Sequence, residues 1–388
     1  MKLSKKKDLL LRCGMALLAF ALLLGLHFYA IRGKQRWEAS SAAGKEYEKV
    51  RVLEILEEQV QPDPNRENQL VGEQTLLVEI LTGRYAGDQL QIVNHLSGGT
   101  SYSVYAEKGG ELIARIDTTD LGEYRVSVHS YSRSLWIWIF VILFVVTLIL
   151  VGGKQGISAV FGLGFTVLGV LFVLVPLLTQ RGWRPVPATL LIVALTMTVS
   201  FVLIGGFGKK TLTAIVGSFG GVAAAGLLAW AAGALMHLSG LNMPEAPEMF
   251  QRGVTENGLK IAPLFVCGVM LAAEGAVMDV SMSVSSAIRE VHAANPGYGR
   301  RDLFRSGMRV GRDAMGTMAN TLILAFAGTS LNAMILIYAY DVAYYRLINE
   351  NTIVMEIVQS LAGSMGIVLT VPLVSLVGSL LHSRNRSK

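Results

Sequence analysis

The sequence predicts a mainly α polytopic membrane protein, a bundle of about eight transmembrane helices with a small all-β domain outside the membrane. Only 16% of the 388 residues are charged and 52% are hydrophobic, whereas a soluble domain carries about 25% charged residues. The charges crowd into residues 33–133 and one later segment. The stretches between them are apolar and long enough to cross about 30 Å of hydrocarbon.

The first element is an apolar run over residues 13–31, preceded by a lysine-rich start. A cleaved signal peptide is the alternative, because the small residues at 39–43 would suit a peptidase. We favour a retained anchor, since the run exceeds the 7–15 apolar residues of an ordinary signal core. Residues 1–32 are therefore predicted to be a basic cytoplasmic N-terminus and the first transmembrane anchor.

Residues 33–133 are predicted to form the β domain. The stretch 124–130 alternates apolar and polar side chains, as a half-buried strand does, and 75–81 is rich in branched residues. Glycine-containing pairs punctuate these runs as turns; they are Gly87-Asp88, Gly98-Gly99 and Gly109-Gly110. Several short strands within about 80 residues indicate an OB-like or SH3-like barrel, or a sandwich. The pattern does not choose among the three.

The position of the charges excludes a nucleic-acid partner. The chain has a formal net charge of +6, yet residues 33–133 hold 16 acidic and 11 basic side chains and are net negative. The excess positive charge therefore lies beside the apolar segments, where it orients a membrane protein.

Residues 134–388 are predicted to form a seven-helix transmembrane domain. Trp136 and Trp138 open the first span, as aromatic residues do at a membrane interface. The predicted spans are 135–152, 156–178, 185–206, 211–237, 258–281, 314–338 and 353–381.

Lysine and arginine residues between the spans set the predicted orientation. They are dense in the N-terminus, in a basic loop at 284–313 and in the C-terminal tail, and sparse in the alternate connections. Positive residues favour the cytoplasmic side. We therefore expect a protein of the bacterial cytoplasmic membrane with both termini in the cytoplasm and the β domain outside.

A stripe of small residues runs along the span at 211–237. Such residues let two helix backbones approach closely and pack by van der Waals contact. We interpret the stripe as a tight packing interface, with a mobile interface as the alternative. Its members recur at every fourth position and are Gly217, Gly221, Ala225, Ala229 and Gly233.

Five polar residues on two consecutive spans are the candidate functional site. A carboxylate within a span costs at least about 2.5–3.5 kcal/mol and is rarely idle. Asp313, Thr317 and Asn320 share one helix face, and Asp279 should lie at a depth similar to that of Asp313. Glu274 should lie deeper, in the inner half of the membrane. We expect these residues to form a polar relay or a substrate site; an interhelical hydrogen-bond network is the alternative.

No recognisable enzyme motif accompanies these residues. The sequence lacks a zinc-protease helix, a nucleophile elbow, a phosphate-binding loop and a dinucleotide fingerprint in the right context. Its two cysteines, Cys13 and Cys267, lie in apolar runs without metal-ligand spacing. We expect no catalytic residues, no metal and no cofactor, and hence no enzyme.

Two segments resemble the YibE/F family of bacterial membrane proteins. They are residues 274–288, beginning Glu-Gly-Ala-Val-Met-Asp, and 306–328, which contains Gly-Arg-Asp-Ala-Met-Gly-Thr-Met-Ala-Asn. The layout of anchor, outer β domain and helical block is also similar. The resemblance covers most of the chain, is most specific over 252–328, and implies the architecture. It carries over no activity and no site residues.

Two functions remain open at this point. The first is a transporter or permease-like protein that moves a small solute or ion through the region of Glu274. The second is a membrane scaffold or envelope regulator whose outer domain binds a partner protein. The expected partners are the lipid bilayer and a small solute or ion, with a second copy of the chain or an outer-domain protein partner as further candidates.

Overall fold

The chain divides into two compact units, residues 36–147 and residues 1–35 with 148–388. The lysine-rich N-terminus, the Gly98-Gly99 turn and the C-terminal basic tail lie outside the residues that the structure describes. The computed structural model describes residues 14, 18–30, 45–64, 66–67, 69–97, 103–118, 124–251, 255, 258–340 and 343–383.

The smaller unit holds one five-stranded antiparallel sheet with the order β3-β2-β1-β4-β5. Alternate side chains along the strands are buried on one face, including Val50, Val78 and Ile116, which is the pattern expected of a half-buried sheet. The strands are β1 Lys45–Pro62, β2 Leu70–Ile80, β3 Gln89–Leu96, β4 Glu111–Thr118 and β5 Tyr124–Tyr131.

The sheet curls into a half-barrel. Tyr85, which precedes β3, stacks on Tyr124 of β5 at 4.2 Å between ring centroids, and the Tyr124 hydroxyl donates to Asp88 at 2.7 Å. The two ends of the sheet therefore approach each other. A separate N-terminal sheet is confirmed, and the described residues contain one sheet rather than the two of a sandwich. The choice between OB-like and SH3-like barrels stays a prediction.

The larger unit is helical. A five-residue π-helical turn, Val170–Leu174, joins α2 to α3. The helices are α1 Leu18–Ala30, α2 Ser134–Gly169, α3 Val175–Arg181, α4 Pro185–Gly205, α5 Lys209–Met236, α6 Ala246–Gln251, α7 Leu264–Ala294, α8 Arg300–Thr329, α9 Leu331–Ala339, α10 Tyr344–Leu347 and α11 Asn351–His382.

Five helical segments within the described residues are long and apolar enough to cross a membrane. The first is the 48-residue stretch Ser134–Arg181, which contains the predicted spans 135–152 and 156–178. The pair α8 and α9, bent by 57°, gives a sixth candidate, and α1 is a shorter apolar helix. These helices support a membrane protein, while the number of about eight spans stays a prediction.

The 48-residue stretch is broken at Gly153. This residue has φ 55° and ψ −129°, a conformation that favours glycine. A Cβ atom on Gly156 would overlap the carbonyl oxygen of Leu148, although eight residues of straight helix would separate the two by about 12 Å. The helix axis therefore turns sharply between the predicted spans 135–152 and 156–178.

The segment 284–313, predicted as the basic cytoplasmic connection between two spans, is mostly helical. Residues up to Ala294 belong to α7, and α8 begins at Arg300, so only 295–299 connect the two helices. The Gly299 N–H donates to Asp302 at 3.2 Å, which caps the new helix. The basic residues of this segment therefore lie mainly on a helix.

The small-residue stripe of α5 packs against α11. A Cβ on Gly217 would overlap Val374, one on Gly221 would overlap Thr370, and one on Gly366 would stand 2.6 Å from Ala225. The two helices are therefore antiparallel, with backbones at close approach over three successive turns. Ala229 is fully buried, and Gly233 faces Phe265 of α7.

Candidate functional site

Glu274 is the deeply buried carboxyl group of the helical unit. It lies ten residues into α7, about 15 Å along the helix axis, and its side chain is 4% exposed. Because α7 begins at Leu264, this distance is about half of a 30 Å hydrocarbon core. The expected position of Glu274 in the inner half of the membrane stays a prediction.

The hydrogen-bond partner of Glu274 is Thr196 of α4. The Thr196 hydroxyl lies 2.7 Å from Glu274 Oε1, and 3.0 Å from the carbonyl oxygens of Ile192 and Val193. A threonine hydroxyl has one proton, so it donates to one of these oxygens at a time. The pair can therefore adopt two arrangements: Thr196 donates to an ionised Glu274, or a protonated Glu274 donates to Thr196.

Further polar side chains continue along the seam between α4 and α7. Seven residues before Glu274, the buried Cys267 thiol lies beside Thr189 of α4. Seven residues after Glu274, the Ser281 hydroxyl is buried and has no hydrogen-bond partner among the described residues. Seven residues of helix span about 10 Å. The seam thus carries polar groups at three levels, and the α4–α7 pairs at two of them show that the helices run parallel.

Small residues hold α4 in this position. A Cβ on Gly169 of α2 would stand 3.2 Å from Thr196 Cγ2, and one on Gly205 of α4 would stand 3.2 Å from Met282 Cε of α7. Both distances are tighter than ordinary van der Waals contact. Glycine therefore lets the neighbouring helices press Thr196 and α7 together.

The other four predicted site residues lie elsewhere. Asp279, Asp313, Thr317 and Asn320 are all exposed, and the described Thr317 hydroxyl bonds the Ala314 carbonyl of its own helix. The structure does not join them to Glu274 by a hydrogen bond or ion pair within the described residues. The expected five-residue cluster is therefore reduced to Glu274.

Helix geometry explains this separation. Asp279 is five positions after Glu274, which at 100° per residue places their side chains about 140° apart around the helix. On α8 the buried positions are Leu303, Gly307 and Gly311, where a Cβ on Gly311 would overlap Val371 of α11. The face with Asp313 is opposite to this contact. Similar depth on neighbouring helices does not bring two side chains together unless they also share a face.

The described cavities and metal-ligand groups lie apart from Glu274. Two open cavities of about 730 Å³ each are lined by residues between Ala333 and Ile357, in α9, α10 and the start of α11. Within the described ranges, no three His, Cys, Asp or Glu side chains gather as metal ligands do. Glu274 is thus enclosed by packed helices in this conformation.

The family model of the YibE/F-like proteins matches residues 140–384. The chain belongs to the YibE/F-like family. The match covers α3 to α11 and most of α2, and the matched residues of this YibE/F-like protein include Glu274 and Thr196. No curated protein matches the chain. No solved structure matches it.

Sequence reasoning missed Thr196, the partner of Glu274. The span at 185–206 contains Thr189, Thr196, Thr198 and Ser200. Hydroxyls are common in spans because they can bond the carbonyl one turn earlier, so their presence alone is a weak signal. The seven-residue spacing of Thr189 and Thr196 matches that of Cys267 and Glu274, and this shared spacing could have paired the two helices.

Proposed function

We propose that this YibE/F-like protein is a transporter or permease for a small solute or ion, with Glu274 and Thr196 as its relay. The observation that carries the proposal is the polar seam between α4 and α7. A carboxyl group occupies its middle level, a threonine–cysteine pair lies about 10 Å to one side, and an unpaired serine lies about 10 Å to the other.

The energetics of the seam favour a working role over a purely structural one. Burying a hydroxyl without a hydrogen bond costs about 1–3 kcal/mol, and the Ser281 hydroxyl is buried in this way. Glu274 has a neutral partner, and no described ion pair includes it. Carboxyl groups in spans usually mark proton or ion pathways. In the proposed cycle the seam opens to water, and Glu274 exchanges a proton or cation with it.

Topology is a second part of the proposal. Both termini lie in the cytoplasm and the β domain lies outside, which follows from the asymmetry of lysine and arginine. An exported reporter enzyme fused after residue 130 should be active. A second reporter, active only in the cytoplasm, should be silent at the same junction, and its activity there would reverse the topology.

Proton flux into liposomes tests the transport proposal. The purified full chain is reconstituted with a trapped pH-sensitive dye, and a potassium gradient with valinomycin supplies the driving potential. We expect the wild type to carry flux above that of empty liposomes, and Glu274→Gln to lose it because the amide cannot exchange a proton. Glu290→Gln, which neutralises an exposed carboxylate on the same helix, is the matched control and should retain flux.

Thr196 variants refine the test. Thr196→Ser keeps the hydroxyl and should retain flux, whereas Thr196→Val removes it and should lower flux. Flux in Glu274→Gln equal to wild type rejects the proton relay. A second series measures sodium flux and potassium flux in place of proton flux. A folded wild type that carries none of the three ions rejects ion transport.

The scaffold function is the alternative, and the enclosure of Glu274 favours it. With 4% of its side chain exposed, Glu274 has little contact with solvent in this conformation. If the residue only holds the bundle together, Glu274→Gln should be nearly silent in membranes. Glu274→Leu should lower protein abundance, because it removes the hydrogen bond that joins α7 to Thr196 of α4.

A further inference from the structure

Three helices of the larger unit meet at Gly378 of α11. A Cβ atom on Gly378 would stand 2.7 Å from Ile288 Cδ1 of α7 and 3.1 Å from Thr213 Cγ2 of α5. The chain direction of α5 at this point is opposite to that of α7 and α11. Residues at positions i and i+4 lie on the same face of a helix, one turn apart. The contact at Gly378 therefore indicates which side chains of the three helices meet one turn nearer the helix ends.

Those side chains are basic or carry imidazole rings. One turn from Thr213 is Lys209, one turn from Ile288 is His292, and one turn from Gly378 is His382. The two imidazole rings confirm the juxtaposition, since their centroids lie 6.2 Å apart in an edge-on arrangement. The three helix ends therefore bring together an ammonium group and two imidazoles.

The two imidazole rings differ in their hydrogen bonds. His382 is 8% exposed, and its Nδ1 lies 3.0 Å from the Gly378 carbonyl oxygen, so that nitrogen donates and fixes the ring. The Nδ1 atom of His292 is buried and makes no hydrogen bond within the described part of the chain. A buried polar atom without a partner in a native protein calls for an explanation.

Two further cations strengthen the positive field. Lys210 follows Lys209 at the start of α5, and Arg289 lies one turn before His292; Lys209 and Arg289 act electrostatically on His382. Glu290 is the acidic residue whose charge acts on Lys210, against Arg289. The N-terminus of the 28-residue helix α5 has no side-chain cap, so its free N–H groups add positive potential.

We propose that this end of the bundle, formed by Lys209, Lys210, Arg289, His292 and His382, binds the phosphate group of an anionic ligand. A fork of guanidinium donors and point-like ammonium groups suits phosphate oxygens. A metal ion would be disfavoured between the two imidazoles, because three fixed cations surround them. The inference does not depend on transport, since no residue of the α4–α7 seam takes part.

The phosphate could belong to a lipid headgroup or to a free phosphate. The predicted orientation puts these helix ends at the cytoplasmic surface, where anionic lipids collect beside clusters of lysine and arginine and basic pockets between helices bind phosphate headgroups. Inorganic phosphate offers the same oxygens without an acyl chain. The two sources can therefore be distinguished by whether binding requires the acyl chains of a lipid.

Short-chain lipid binding to the full chain in neutral detergent tests the inference. Dissociation constants are measured for dioctanoyl phosphatidylglycerol and dioctanoyl phosphatidylcholine, with inorganic phosphate as competitor. We expect phosphatidylglycerol to bind more tightly to the wild type. The double variant Lys209→Gln/Lys210→Gln should bind it about 25-fold more weakly, about fivefold for each lysine, and Arg289→Gln should weaken it similarly to one lysine change.

The matched control is Arg305→Gln/Arg312→Gln, which removes two exposed charges from α8 outside the cluster. It should leave the affinity within about twofold of the wild type. Competition by inorganic phosphate would assign the site to free phosphate, and its failure to compete would assign it to the lipid; both support a phosphate site. Equal binding of the two lipids, an unchanged double variant or an equal loss in the control pair overturns the inference. If the double variant does not fold, Arg289→Gln decides alone.

Discussion

Gly221 of α5 lies so close to Thr370 of α11 that a Cβ atom on the glycine would overlap the threonine hydroxyl. Thr370 cannot easily move away, because it is fully buried and donates to the Gly366 carbonyl at 2.7 Å. We therefore expect Gly221→Ala to lower stability by about 1–3 kcal/mol through overpacking. Thermal unfolding in detergent measures the loss.

Gly275→Ala is the matched control for this substitution. Gly275 is also in a long helix, but a Cβ there would meet no atom within 4 Å. Alanine should therefore be neutral or slightly stabilising, because its helix propensity exceeds that of glycine by about 1 kcal/mol. Equal melting temperatures for the two variants would mean that the α5–α11 contact is looser than described.

The smaller unit should fold without the larger, helical unit. Its strands bury their own core, with Val50, Leu76 and Ile116 fully enclosed, and neighbouring strands pair throughout. Residues 45–131 expressed alone should give a β-type circular dichroism spectrum and a cooperative melt. A helical or unfolded spectrum would contradict this expectation.

Gln74 should contribute strongly to the stability of the smaller unit. It is fully buried, accepts from the Ala106 N–H at 2.9 Å and from Asn94 Nδ2 at 3.2 Å, and donates to the Ala106 carbonyl at 3.2 Å. Gln74→Leu leaves at least two donors unpaired, so we expect a loss of about 2 kcal/mol or more. Urea unfolding measures it, with exposed Gln91→Leu as the control that should change little.

The hydrogen bond from Tyr124 to Asp88 should affect how the stability of the smaller unit depends on pH. This bond, more than burial or the Asp88 charge, raises the pKa of Tyr124 above its ordinary value, about 10. Because the folded state holds the proton more tightly, the bond contributes stability below the unfolded pKa. That contribution is lost as pH rises through the folded pKa.

Nuclear magnetic resonance of ring-labelled tyrosine follows this titration residue by residue. Asp88→Asn should lower the pKa of Tyr124 toward the ordinary value. The pKa of Tyr105 should stay unchanged, because it is raised chiefly by a hydrogen bond to Glu58. Glu58→Gln should have the reverse pattern. An unchanged Tyr124 pKa in Asp88→Asn would show that the hydrogen bond between Tyr124 and Asp88 is not formed in solution.

Properties set by local periodicity could be predicted from the sequence. The long apolar runs became helices, the glycine at 153 marks the break between two predicted spans, and the period-two stretch at 124–130 became β5. Each depends on the residues immediately around it. The YibE/F-like family, indicated by residues 274–288 and 306–328, is also confirmed.

Properties set by which helices are neighbours could not be predicted in the same way. The partner of Glu274 is 78 residues away on α4, and the seven-residue spacing that the two spans share is the one sequence signal that α4 rather than α8 faces it. The basic segment 284–313 was predicted as a connection between spans, and its charges alone do not show that α8 begins at Arg300. Its helix is stabilised by buried Gly307 and Gly311 against α7 and α11, contacts that only the tertiary structure shows.

The antiparallel glycine contact between α5 and α11 imposes an order on biogenesis. About 115 residues separate Met236 from Asn351, and a ribosome adds about 5–20 residues per second. The glycine face of α5 therefore waits about 6–23 seconds for its partner, and the insertion machinery or lipid must cover it meanwhile. A chain that stops short of α11 leaves that face permanently unmatched, which makes the last helix the step that completes assembly.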